Sequence, residues 1–383
     1  MDALIRIVAR FNPGSNTALV LVNRLGDAII SRDFAESARK AVQKEGSGNL
    51  ILIGDTSWEV LQENLYSGFT IIFIDEFKFR SEIIYRFRTG LRLARLGVKR
   101  CYCLMHHRLE MRDESIINLT GATERTIAEM PFLSARWYPW VWDATSRHMR
   151  LVSATAHETE RKQSAQGIHL RCRHAYHRQQ LIVDALDWDV PSPKIIEFQE
   201  ADRTGQRPLV VLAVGAQSTQ PFLPMDVWVN VAKRLADHKF DVAFSGGAQE
   251  RRYIPDLEAS FEAVFGPAKP QHPDMWIGNK NFTNFMSQLR AAAAYVGRDT
   301  GGSHLAYWLG TPSVVLLNDH SGTELDSRCG DFFPYPPDFL PTSIRYVHHH
   351  TSFFNDTANL FSLTEEITQK VLDVAHTRPR ILN

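Results

Sequence analysis

Two kinds of apolar pattern alternate along the whole chain. Short runs rich in β-branched residues, such as Thr17 to Val22, Asn49 to Ile53 and Thr70 to Ile74, predict buried strands. Longer stretches with apolar residues at helical spacing lie between them, as over Ala28 to Val42. Strands that alternate with helices are typical of an α/β protein with a parallel, doubly wound sheet.

The same alternation starts again in the second half, after a stretch with little apolar periodicity at Asp187 to Arg207. A buried strand is predicted at Pro208 to Val214, followed by a helix with Val227 and Trp228 on its apolar face. We therefore expect two domains, residues 1–190 and 208–360. A helix within residues 361–383 is expected to pack back on the amino-terminal half.

Length and charge agree with a two-domain protein. The 383 residues exceed what one compact core usually holds, and the formal net charge of zero gives no electrostatic reason to expect nucleic-acid binding. No apolar run reaches the roughly 20 residues of a membrane-spanning helix. Charged residues interrupt Met1 to Arg10, which we interpret as an extra strand or arm rather than a signal peptide. A cytoplasmic protein is expected.

No metal site is predicted from cysteine, histidine or aspartate spacing. The four cysteines have neither metal-knuckle spacing nor a disulfide framework, so reduced thiols are expected. The run His348 to His350 would point its side chains to alternating faces of an extended segment, which favours a solvated loop over a metal site. The pair Asp187 and Asp189 falls at the domain boundary, and we interpret it as structural.

The most informative stretch is Tyr295 to Leu317, which predicts a strand, a tight loop, a short helix and a second strand. Thr300, Gly301, Gly302 and Ser303 occupy the loop and the first helical turn, where backbone N–H groups have no intrahelical partner and the helix dipole is positive. Such a turn suits a diphosphate. The alternative is a plain strand–helix turn whose glycines serve close packing.

The segment Asp299-Thr-Gly-x-x-His-Leu-Ala-x-x-x-Gly-Thr-Pro312 resembles the signature of the lipopolysaccharide heptosyltransferase family, glycosyltransferase family 9. Leu19 to Asp27 resembles the first strand and Leu-Gly-Asp loop of that family. The resemblance implies the GT-B fold, in which two Rossmann-like domains have parallel sheets that face each other across a cleft. The first domain would bind the acceptor and the second the nucleotide sugar, with no metal or other cofactor.

Site residues follow from this resemblance. Asp27 takes the position of the catalytic base, the alternative being a helix N-cap. On the side that would bind the donor, the clearest match to the family is the turn at Asp299 to Gly302 with the polar His304. Val210 to Gly215 resembles the first strand of the family's donor domain, and Met275 to Gly278 resembles its element near the adenine, both more weakly. The implied donor-binding residues are Gly215, Gln249, Trp276, Gly278, Arg298, Asp299, Thr300, Gly301, Gly302 and His304.

The donor side also departs from the family pattern. The loop Gln217 to Pro224 lacks the lysine of the family, and Gln249 stands where the family has glutamate, although Glu250 is adjacent. Arg298 replaces an asparagine. It either supplies the missing positive charge to the diphosphate or is a surface arginine.

The resemblance implies an inverting transferase that moves a sugar, heptose from ADP-heptose in the first place, to a lipopolysaccharide core or another surface glycan. A lipid-linked or core-oligosaccharide acceptor would be compatible with peripheral association at the inner membrane. The alternatives are a transferase for another nucleotide sugar, a sugar-nucleotide epimerase, and a non-catalytic protein that binds nucleotides or glycans.

Overall fold

The computed structural model describes residues 5, 7–9, 11–46, 48–104, 110–128, 150–152, 175–215, 223–246, 254–265, 282–298, 300–318, 343–349 and 356–375. The chain divides into two compact units, Met1–Ser192 and Pro193–Asn383. Each unit is built around its own parallel sheet. The α/β class predicted from the alternating pattern is confirmed.

The first unit contains a six-stranded parallel sheet with the strand order β3-β2-β1-β4-β5-β6. Strand β1 lies at the centre and is almost entirely buried, which explains its continuous run of apolar residues. The strands are β1 Asn16–Leu21, β2 Leu50–Asp55, β3 Thr70–Ile74, β4 Val98–Cys103, β5 Glu124–Ala128 and β6 Arg150–Val152.

Helices connect these strands, and the longest, α1, buries Ile29, Ile30 and Phe34 against the sheet. The last helix of the unit packs on α1, where Tyr176 Oη donates to Asp33 Oδ2 at 3.0 Å. The helices are α1 Leu25–Lys44, α2 Gln62–Leu65, α3 Glu76–Ser81, α4 Ile83–Ala94, α5 Ser115–Leu119 and α6 Ala175–Ala185, together with a 3-10 helix Thr56–Leu61 and a π-helical turn Glu110–Glu114.

The amino-terminal segment is helical over residues 7–9, so the expected strand is wrong there. The segment packs closely on helix α4 at Gly90. A Cβ atom added to this glycine would lie only 2.6 Å from Ile5 Cδ1. Asn12 Nδ2 donates to the Arg95 carbonyl at 2.8 Å, at the carboxyl end of the same helix. The glycine in α4 thus allows the close approach of the amino-terminal segment.

The second unit contains a five-stranded parallel sheet with the order β11-β10-β9-β7-β8. Its strands are β7 Leu209–Ala213, β8 Asp241–Ser245, β9 Ala294–Arg298, β10 Ser313–Asn318 and β11 Ile344–His349. Its helices are α7 Met225–Asp237, α8 Ile254–Phe265, α9 Phe282–Ala291, α10 Gly301–Trp308 and α11 Thr357–Ala375.

The core of the second unit includes the predicted apolar face of α7, with Val227 and Trp228 buried. Helix α11 completes this core through Ile367 and Val371, and it packs on α7 and on strands β9, β10 and β11. This helix was expected to pack on the first half of the chain, whereas its buried face packs against the sheet of the second unit. A contact with the first half stays a prediction.

The structure describes two polar groups that were singled out in the sequence, the histidine run and the pair Asp187 and Asp189. His348 and His349 belong to strand β11, and His349 is buried, so the expected solvated loop is wrong for these two residues. Asp187 lies just after helix α6 with φ 60°, and its backbone N–H donates to the Asp184 carbonyl, which places the pair Asp187 and Asp189 at a helix end. Among the described helices, none is long and apolar enough to cross a bilayer.

Candidate active site

Asp27 lies at the carboxyl edge of the first sheet, in the first turn of helix α1. Strand β1 ends six residues before it, and open α/β sheets carry their sites at this edge. The N-cap of α1 is Arg24, with an extended backbone, so the N-cap interpretation of Asp27 is wrong in position. The backbone N–H of Arg24 nevertheless donates to the Asp27 carboxylate, which is partly exposed.

The surroundings of Asp27 make it a stronger base than an ordinary aspartate. Burial raises the pKa of Asp27 to about 6, while the positive charge of Arg112 and the Arg24 N–H act in the opposite direction. The negative charge of Asp113 contributes to the rise. A carboxylate with a pKa near the working pH is suited to general-base catalysis.

Arg112, in the π-helical turn that follows strand β4, is the buried cation of this edge. Its side chain is 5% exposed, and Nε and Nη2 donate to the two oxygens of Asp113 at 2.9 and 2.8 Å. Nη1 lies 3.2 Å from Glu76 Oε1, and Nη2 also donates to Asn23 Oδ1. This forked contact with several acceptors fixes the guanidinium beside Asp27.

The carboxyl ends of four neighbouring strands therefore meet in one polar cluster. Asp55, the last residue of β2, accepts from the Ser57 N–H at 2.8 Å and from the Glu76 N–H at 3.0 Å. Five members of the cluster were not predicted from the sequence. Their shared signal is that each lies at or after the end of a strand, as parallel sheets require of site residues. These residues are Asn23, Asp55, Glu76, Arg112 and Asp113.

The motif turn of the second unit lies at the corresponding edge of its sheet. Strand β9 ends at Arg298, Thr300 caps helix α10, and the Thr300 N–H donates to Ser303 Oγ at 3.0 Å. Ser303 Oγ in turn donates to the Thr300 carbonyl at 2.7 Å. Ser303 thus closes the cap, while the N–H groups of Gly301 and Gly302 lie in the turn whose amides have no intrahelical acceptor. This arrangement can bind an anion.

Gly302 serves packing as well as the turn. A Cβ atom there would lie 2.7 Å from the Tyr295 hydroxyl, and one at Gly297 would lie 2.4 Å from it. The side chain of Tyr295 therefore occupies the space beside both glycines. The alternative raised from the sequence, that the glycines serve close packing, applies to Gly302.

His304 and Arg298 are both buried at this edge, at 6% exposure each. Burial lowers the pKa of His304 to about 3, so its imidazole is neutral at physiological pH and can contribute a hydrogen bond but no charge. The interpretation of Arg298 as a surface arginine is wrong, since its side chain is enclosed. Opposite Arg298 on strand β10 lies Leu316.

Gly215 follows strand β7 by two residues and lies at the same edge of the second sheet. Thr300, Gly301, Gly302, His304 and Arg298 share this edge with it. The remaining donor-side predictions lie outside the described residues: Gln249, Trp276, Gly278 and Asp299. Among the residues that the structure describes, no three histidine, cysteine or acidic side chains are grouped as metal ligands.

The neutral state of His304 predicts a pH dependence of stability. The folded-state pKa of about 3 lies below the ordinary value of 6.5, so below pH 6.5 the unfolded chain binds a proton that the folded protein does not. This contribution to the free energy of unfolding is present above pH 6.5 and decreases by about 1.4 kcal/mol per pH unit as pH falls toward 3. Urea unfolding between pH 7 and 4.5 should show a shallower decrease for His304→Gln than for the wild type. The exposed His238→Gln should keep the wild-type slope, and equal slopes in all three would contradict the assignment.

Comparisons with known proteins find a similar family and similar folds. The model of glycosyltransferase family 9 (heptosyltransferase) matches residues 141–327. A family 9 glycosyltransferase from Veillonella parvula has a similar structure, with a TM-score of 0.60, 15% identity, and coverage of 96% of this chain and 97% of that one. A comparison with curated protein sequences returns no match.

Two Escherichia coli enzymes also share the fold. The ADP-heptose lipopolysaccharide heptosyltransferase II is 16% identical with a TM-score of 0.56, covering 94% of this chain and 99% of that one. Heptosyltransferase WaaC with ADP is 13% identical with a TM-score of 0.57, covering 95% and 99%. At these identities the structures establish a GT-B-like fold. The family model places residues 141–327 of this chain in glycosyltransferase family 9, the heptosyltransferase family.

Proposed function

We propose that the protein transfers a sugar with inversion from a nucleoside diphosphate sugar, heptose from ADP-heptose in the first place, to a lipopolysaccharide core or another surface glycan. The observation that carries this proposal is Asp27: a carboxylate with a pKa of about 6 at the carboxyl end of the central strand, beside a fixed Arg112. An aspartate with its ordinary pKa would be a weaker proton acceptor.

In the proposed reaction, Asp27 takes the proton of an acceptor hydroxyl. The hydroxyl oxygen then forms a bond to the anomeric carbon from the face opposite the diphosphate, and the bond from that carbon to the diphosphate oxygen breaks. The electron pair leaves with the nucleoside diphosphate. The carbon is therefore inverted, and the proton ends on Asp27.

The leaving diphosphate gains negative charge, which the first turn of helix α10 is arranged to stabilise. Its free amides and the positive end of the helix dipole supply partial positive charge without a metal ion. Arg298, enclosed at the end of β9, would add a full charge where the family lysine is missing from the loop at residues 217–224. We assign His304 a neutral hydrogen bond to the donor.

ADP-heptose is the first donor to test, because a protein with a similar fold has been solved with related ligands. Escherichia coli heptosyltransferase WaaC has been solved with ADP and with ADP-2-deoxy-2-fluoro heptose. The acceptor that follows from this donor class is a lipid-linked or core oligosaccharide. With such an acceptor, we expect the enzyme to act at the cytoplasmic face of the inner membrane.

Calorimetry with ADP and UDP tests the donor site. Gly301→Val should lower nucleotide affinity by at least about tenfold, because a branched side chain would project into the turn where the phosphate approaches the backbone. His304→Ala and Arg298→Gln should each weaken binding by about 1–3 kcal/mol, as expected for hydrogen bonds to a charged group. The wild type should prefer ADP.

The control for these variants is His238→Ala, an exposed histidine at the end of helix α7. It should bind ADP like the wild type. If Gly301→Val and His304→Ala both keep wild-type affinity for ADP and UDP, the motif turn is not the donor site. A preference for UDP would retain the transferase and change the donor.

A further inference from the structure

Exposed apolar side chains are concentrated around helix α4. Seven large apolar side chains are exposed among the described residues, and five of them lie on α4 or on segments that adjoin it. Single exposed apolar residues are ordinary on a protein surface, but a concentration of this kind marks an interaction site. The five are Ile7, Phe11, Phe77, Ile83 and Ile84, with exposures of 50, 84, 78, 75 and 70%.

The corner between α3 and α4 holds three of these side chains outward because its other aromatic residues are anchored. Phe79 is fully buried under the Arg86 guanidinium, 5.0 Å from its ring centre. The Tyr85 hydroxyl accepts from the Asp75 N–H at 2.9 Å. With these two rings fixed, Phe77 and Ile84 remain on the solvent side.

The solvent face of α4 continues from this apolar corner as a row of arginines. Ile84, Arg88 and Arg92 follow at intervals of four residues and so share one face, and Arg95 ends the helix on the same side. All three arginines are exposed, and none forms an ion pair with a described residue. Over residues 77–95 the chain has six Lys or Arg residues and one Glu, a net charge of +5, in a protein with net charge zero.

We propose that this α4 surface, formed by Phe77, Ile83, Ile84, Arg88, Arg92 and Arg95, docks the enzyme onto an anionic lipid bilayer. Apolar side chains that insert at the headgroup boundary and a row of cations above it are the two components of interfacial binding. A protein partner of ordinary composition would leave the unpaired arginines without matching charge. The inference extends the membrane location in the proposed function, and it assigns that location to one surface.

Vesicle co-sedimentation of the full chain tests the surface in the absence of any sugar nucleotide. The wild type should bind vesicles of mixed phosphatidylglycerol and phosphatidylcholine, and it should bind pure phosphatidylcholine vesicles much more weakly. Each cation near an anionic surface contributes about fivefold to partitioning. Replacing Arg88, Arg92 and Arg95 by Gln should therefore lower partitioning by at least tenfold, and added salt should reduce the wild type to a similar level.

A second variant tests the apolar part independently. Phe77→Ser with Ile83→Ser and Ile84→Ser should also lose at least about tenfold, from lost insertion of apolar area. The matched controls are Phe361→Ser, an exposed apolar residue of the second unit, and Lys233→Gln, an exposed cation there. Both controls should bind like the wild type. Circular dichroism should show wild-type folding for all variants, since every changed side chain is exposed.

Three results would overturn the proposal. The first is vesicle binding at the wild-type level in both surface variants, and the second is a loss of vesicle binding in the controls equal to that in the variants. The third is a wild-type dimer that the apolar variant converts to a monomer, because the surface would then be a contact between two copies. Because no substrate is present, a failure here leaves the proposed transfer intact. A wild type that binds vesicles as expected but transfers no sugar would contradict the proposed function and leave the membrane surface in place.

Discussion

Replacing Asp27 by Asn is expected to lower turnover by about 10²-fold or more, the usual cost of a lost general base, with little change in donor affinity. Asparagine keeps the shape of the side chain but cannot take the acceptor proton. In the wild type, the rate should fall as pH drops below about 6, where Asp27 becomes protonated. Steady-state kinetics between pH 5 and 9 would measure both effects.

The same variant is expected to be more stable than the wild type at pH 8. The folded-state pKa of Asp27, about 6, lies above its ordinary value of 3.8, so between these values the folded protein holds a proton that the unfolded chain releases. Stability therefore falls as pH rises through this window, by about 1–3 kcal/mol in all, and the neutral Asn avoids that loss. Urea unfolding at pH 8 should show the gain, which should vanish near pH 4.

This combination of lost turnover and gained stability separates a base from a cap. A residue whose only role is to cap helix α1 would lose about 0.5–2 kcal/mol of stability on replacement. Asp226→Asn, in the exposed first turn of α7, is the matched control and should change stability by at most a few tenths of a kcal/mol. Near-normal turnover with reduced stability in Asp27→Asn would show that Asp27 only stabilises the start of helix α1, by accepting from the Arg24 N–H.

Replacing Arg112 by Gln is expected to have the largest effect on stability, a loss of about 3–5 kcal/mol. The change leaves Asp113, which is 1% exposed, and the Glu76 carboxylate without their buried counter-ion. It should also raise the pKa of Asp27 further, because the charge of Arg112 is the main influence that lowers it. The acid limb of the pH–rate profile should therefore move to higher pH.

Arg80→Gln is a close control, because Arg80 contacts the same Glu76 oxygen at 3.3 Å from an exposed position. An exposed pair of this kind contributes at most about 0.5 kcal/mol. Arg112→Lys, which keeps the charge but loses the forked contact, should lie between the two. If Arg112→Gln unfolds at the same urea concentration as Arg80→Gln and keeps the wild-type pH profile, Arg112 does not organise the edge.

The element pattern was predictable where apolar runs are uninterrupted. Thr70 to Ile74 was predicted as a strand with the bounds that the structure has, and Tyr295 to Leu317 gave a strand, helix and strand in the observed order. Strand β4 begins at Val98, and Lys99 and Arg100 interrupt the apolar run by which a buried strand is predicted. Arg100 is accommodated there by ion pairs with Glu45 and Glu124, which lie far apart in sequence.

The site was predictable only where a local motif carries it. Asp27 and the turn at Thr300 each belong to a continuous segment with a recognisable order. Arg112 belongs to an irregular helical turn with no apolar periodicity, and its partner Asn23 is 89 residues away, so only the sheet topology brings them together. Likewise, the sequence could not show that Tyr295, rather than a ligand, fills the space beside Gly302.

The most direct test is a transfer assay with ADP-heptose and a core oligosaccharide acceptor, in which the release of ADP and the mass of the acceptor are both measured. The wild type should release ADP in step with a gain of one heptose on the acceptor, and Asp27→Asn should do both at about a hundredth of that rate or less. Equal release by the two proteins, or binding of nucleotide sugars with no transfer from any of them by the wild type, would contradict the central claim that Asp27 activates an acceptor for sugar transfer.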